Sequence, residues 1–95
     1  MADRVHPLFP LGQIVATTGA LAAMEDARQT PADFLNRHVA GDWGEIDPED
    51  KGLNEQALKD DARIFSVYQT SKGVKLWVIT EADRASTCIL LPDEY

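Results

Sequence analysis

The stretch from Arg63 to Leu91 constrains the fold more than any other, because it reads as two consecutive β-hairpins sharing one apolar strand, Val74 to Thr80. Arg63 to Thr70 is rich in β-branched and aromatic residues. Ser71, Lys72 and Gly73 supply turn chemistry, with a glycine that tolerates positive φ, and Val74 restarts the same kind of run. A three-residue loop sets Val67 opposite Trp77, Phe65 opposite Ile79 and Arg63 opposite Glu81, so the register closes with an ion pair. The chain then turns through Ala82, Asp83 and Arg84, returns along Ser86 to Leu91, and stops at Pro92, which cannot donate to a ladder. Ile64 and Tyr68 share the other face with Val74, Leu76 and Val78, so the central strand is apolar on both sides and needs two covers.

Upstream, Pro7 and Pro10 make residues 1–10 an extended arm, whose Val5, Leu8 and Phe9 could cover the second sheet face, a place a second subunit could take instead. Gln13 to Thr17 reads as a short strand. Thr17 or Thr18 then caps a helix from about Gly19 to Ala27, with Leu21 and Met24 inward. Thr30, Pro31 and Asp33 start a second helix that runs to Ala40, with Phe34, Leu35, His38 and Val39 on its apolar side. Asp47 and Pro48 start a third. Gly52 costs about 1 kcal/mol in a helix interior, which leaves open a later start near Asn54. The expected architecture is a single α+β domain over residues 1–95, with a three- or four-stranded, largely antiparallel sheet and three helices mostly on one face.

The formal charge of −7 argues against non-specific binding to nucleic acid or to anionic membranes, both of which rely on basic side chains. Half of the sixteen acids fall between Asp42 and Asp61. Asp47, Glu49 and Asp50 suit a helix N-terminus, and Glu55 can pair with Lys51 and Lys59 four residues away on either side. Asp42, Glu45, Asp60 and Asp61 are left without a local role, the last two opposing the helix dipole. Trp43, between Gly41 and Gly44, either plugs the core or presents its ring outward. These five residues are the candidate contact surface for a protein with a basic face.

Catalytic and metal signatures are missing. A calcium loop starting at Asp47 fails, since Lys51 takes a ligand position and Leu58 stands where the bidentate glutamate belongs. His6, His38 and Cys88 lack paired ligand spacing for zinc. No nucleophile elbow or phosphate-binding glycine loop occurs, and no cofactor is expected. Cys88, the single cysteine, reads as a packed thiol in a reducing compartment. The apolar part of residues 8–23 is too interrupted for a signal peptide, and no stretch suits a membrane span, so a cytoplasmic location is expected. Glu81, Asp83 and Arg84 in the second turn form an alternative polar cluster.

The order Phe9-Pro10-Leu11-Gly12-Gln13-Ile14-Val15-Ala16-Thr17, Gly41-Asp42-Trp43-Gly44, Trp77 to Arg84, and Leu90-Leu91-Pro92-Asp93-Glu94-Tyr95 resembles a family of small bacterial plasmid-related proteins. That resemblance implies a mobile genetic element in a bacterial cytoplasm and carries no catalytic residue with it. By analogy with other small acidic proteins of such elements, it suggests a partner among host nucleic-acid enzymes or defence systems. The reading is therefore a non-enzymatic acidic interaction module. A small enzyme or ligand-binding domain around Arg84 is the alternative, and a homodimer through the doubly apolar sheet is a third possibility.

Overall fold

A computed structural model describes residues 7–95. Its sheet has four strands, β1 (Gln13–Ala16), β2 (Ile64–Gln69), β3 (Lys75–Thr80) and β4 (Ser86–Leu90), in the order β1-β4-β3-β2. The register of the first hairpin is the expected one: Phe65 pairs with Ile79 and Val67 with Trp77. Beyond the ladder, Arg63 reaches Glu81 at 3.1 Å. The sheet is mixed rather than wholly antiparallel, since β1 joins β4 in parallel.

Three helices cover one face. Helix α1 (Thr18–Asp26) lies over β4, α2 (Pro31–Val39) over β3 and α3 (Pro48–Asp60) over β2. Each begins as its sequence directs. The Thr17 hydroxyl accepts from the amide of Ala20, Thr30 and Asp33 form a reciprocal capping box, and the Asp47 carboxylate accepts from the amide of Asp50. Helix α3 is continuous through Gly52, so the later start near Asn54 is not used. On α1 the inward residues are Ala20 and Met24, whereas Leu21, expected inward, is 48% exposed.

The core lies between helices and sheet. Met24, Phe34, Leu35, Tyr68, Leu76, Val78 and Ile89 form one part; Phe9, Val39, Trp43, Ala57 and Ile64 form the other. Phe9 thus carries the arm to the helix side and not to the outer sheet face. On that outer face Phe65 packs against Trp77 at 5.2 Å and Trp77 against Tyr95 at 5.6 Å. Tyr95 follows a 3-10 turn, Pro92–Glu94, and its hydroxyl accepts from Arg63. Val5 lies outside the described residues.

Candidate interaction surface

The acidic segment begins by closing an edge of the sheet. Alternate residues of β2 turn their backbone groups away from β3, and these outward groups find partners in residues 43–54. The amide of Val67 donates to the carbonyl of Trp43 at 3.1 Å, and the amide of Glu45 donates back to the carbonyl of Val67 at 2.7 Å. One step along, the Asn54 side chain donates to the carbonyl of Phe65 at 2.7 Å and accepts from its amide at 3.0 Å, acting as a short substitute strand. Asn54 is buried for that purpose.

This docking decides where the loop side chains go. Gly41 and Gly44 hold φ of +88° and +76°, and a side chain at Gly44 would run into the carbonyl of Val67 at 1.9 Å. The loop therefore folds Trp43 inward, where the residue is 4% exposed and its ring packs against both Phe9 and His38. Its Nε1 finds no acceptor among the described residues. The indole belongs to the core, which corrects its place in the expected contact surface.

The four carboxylates stay outside. Asp42 accepts from Arg37 Nε at 2.8 Å and from the Gly44 amide at 3.2 Å, and the Arg37 guanidinium holds its carboxyl below the usual range. Glu45 accepts from the Gln69 side chain, Nε2, at 3.1 Å and Asp60 from the Gln56 side chain, Nε2, at 2.7 Å. Asp61 ends α3 in the left-handed conformation, φ 53°, and is exposed. The pairing expected between Glu55 and the flanking lysines is not formed. Among the described residues the ion pairs are Arg37 with Asp42 and Arg63 with Glu81, so the other carboxylates of the segment face solvent without a cation.

The second-turn cluster does not converge. Glu81 is held by Arg63, and Asp83 accepts from the Ala85 amide. Arg84 spends its donors on the carbonyls of Ala57, Ala62, Glu81 and Ala82, at 2.6 to 3.2 Å, and lies over the Phe9 ring. It clamps the C-terminus of α3, where a cation also suits the dipole.

Two further groups could suggest chemistry. His38 Nδ1 lies 2.6 Å from Ser66 Oγ, the spacing of a base and a nucleophile, but both residues are fully buried. Burial lowers the His38 pKa to about 4. Burial likewise pushes the Cys88 thiol up, away from a reactive thiolate. No cluster of metal-binding side chains occurs among the described residues, nor any helix long and apolar enough to cross a membrane. His6 lies outside the described residues. The roles of Asn54 and His38 went unread in the sequence because their partners are distant in the chain.

No family model, curated protein or solved structure matches this chain.

Proposed function

We propose that this protein is a non-enzymatic interaction module that docks an acidic face, carried by residues 42–61, onto a basic protein surface in a bacterial cytoplasm. The observation behind this reading is the segregation of charge. Residues 42–61 hold eight carboxylates against two lysines, a surplus of six in a chain whose net charge is −7. Glu45, Asp60 and Asp61 are the contact groups, all exposed and none in an ion pair with a described residue. Asp42 is the fourth, already half engaged by Arg37.

In its sharpest form the partner is a nucleic-acid enzyme or defence protein of the host, whose phosphate-binding surface offers the required basic charge, and the module acts for a mobile element. Lys51 and Lys59 break the run of negative charge, so the face suits a patchy basic surface better than it suits strict imitation of a duplex backbone. Rim charges of this kind govern association rate and salt dependence.

The test is affinity capture from a bacterial lysate at low and moderate salt, with the native chain and with a Glu45→Gln, Asp60→Asn, Asp61→Asn variant. The expected result is a defined protein that the native chain retains at low salt, that moderate salt weakens and that the variant loses. Equal capture by both chains at both salts would overturn the proposal.

A further inference from the structure

We propose that β1 is a self-association edge: two copies pair their β1 strands antiparallel about a two-fold axis, joining two four-stranded sheets into one. The two sheet edges are treated in opposite ways. That of β2 is closed by Trp43, Glu45 and Asn54, whereas among the described residues nothing bonds to the outer side of β1. The amides of Gln13 and Thr17 donate to Ala85 and Ile89 at 2.9 and 3.0 Å. Backbone groups alternate along a strand, so those of Ile14 and Ala16 point away from β4. Ile14 and Val15 are 42% and 45% exposed. A strand of this kind, with two half-exposed apolar side chains and without charge or proline, is a ready template for another strand.

The charge distribution leaves room at this edge for a second copy as the occupant. No acidic or basic residue lies between Pro7 and Met24, and the carboxylate brought to that end of the strand, Glu94, is held by the Thr17 hydroxyl, whereas the surplus of negative charge lies on α3 and its loop, which pack against the opposite edge. Two molecules of charge −7 can therefore meet at β1 with their acidic faces at the far ends of the joined sheet.

The hydrogen-bond pattern is self-complementary as well. Ile14 of each copy pairs with Ala16 of the other, each pair exchanging two hydrogen bonds, and Val15 meets Val15 at the axis as a close, non-hydrogen-bonded pair. Beside Ile14 runs a groove of about 410 Å³, lined by Pro7, Phe9, Pro10, Asn36 and Val39, which extends the apolar contact beyond the strand.

The axis pair supplies the experiment. Sedimentation equilibrium of the native chain from micromolar to near-millimolar concentration should show a monomer–dimer equilibrium that tightens as salt screens the net charge. Val15→Lys and Val15→Glu, both at a half-exposed position that tolerates a charge, should each sediment as monomers, and an equimolar mixture should recover the dimer mass. A native chain that stays monomeric at every concentration and salt would overturn the proposal and leave the edge to a strand from another protein. Native-like dimers of both variants, or a mixture that stays monomeric, would overturn it too.

Discussion

His38 stands in the middle of a buried polar chain whose proton positions follow from its far end. Thr87 donates to the carbonyl of Leu11 at 2.8 Å, so its oxygen must accept from Thr80 at 2.7 Å. Thr80 in turn accepts from His38 Nε2 at 2.9 Å, which leaves Nδ1 to accept from Ser66 at 2.6 Å. Every member is satisfied by a neutral ring protonated on Nε2, packed edge-on against Phe9 and Trp43. Acid should break this arrangement. The unfolded chain binds the histidine proton near 6.5, the folded one only at about 4. Between those values the unfolded state holds more protons, so the stability present above pH 6.5 is lost as pH falls towards 4, by about 3 kcal/mol in all. Urea unfolding from pH 7 to 4 measures the slope, and imidazole nitrogen shifts report the tautomer. The sequence places His38 on an apolar helix side but not at this depth, because Ser66 and Thr80 lie 28 and 42 positions away.

The third helix and the loop before it close the β2 edge, and that structural role can be isolated from the proposed contact role. Asn54→Ala leaves the Phe65 amide and carbonyl without partners beneath α3 and should lower stability by about 2 kcal/mol, whereas Glu55→Ala on the solvent side should stay within about 0.5 kcal/mol. Gly44→Ala must fit a methyl group where φ is +76° and the Val67 carbonyl is 1.9 Å away. A loss of more than about 2 kcal/mol is expected, with the β2 edge opened, which hydrogen exchange at Val67 would detect. Elements built from neighbouring residues were the legible ones: both hairpins, the register of the first and the cap residues that start the helices follow from local turn and cap chemistry. The parallel pairing of β1 with β4 spans nearly the whole chain, and no local pattern encodes it. For the same reason the arm could not be assigned a face until the position of Phe9 was known.

Across the whole molecule, charge and backbone pairing divide along one axis. The β2 side is closed and acidic, whereas the β1 strand carries no charge of its own, with Glu94 at its Thr17 end, and is open among the described residues. The acidic side works against the fold in places: Asp60 and Asp61 sit at the C-terminus of α3, where the dipole disfavours them, and the segment's like charges repel. That an acidic surplus gathers on one segment was readable from the sequence. That Trp43 turns inward was not, since two flexible glycines allow either direction until the loop docks on β2. If a partner is the reason for the exposed carboxylates, removing them should favour the fold and abolish binding together. The most direct measurement takes the Glu45→Gln, Asp60→Asn, Asp61→Asn chain through thermal unfolding and lysate capture side by side with the native protein. The account predicts a variant at least as stable as the native chain, by up to about 1 kcal/mol, that no longer retains the native chain's salt-sensitive partner. A variant that folds as well and still retains that partner would contradict it.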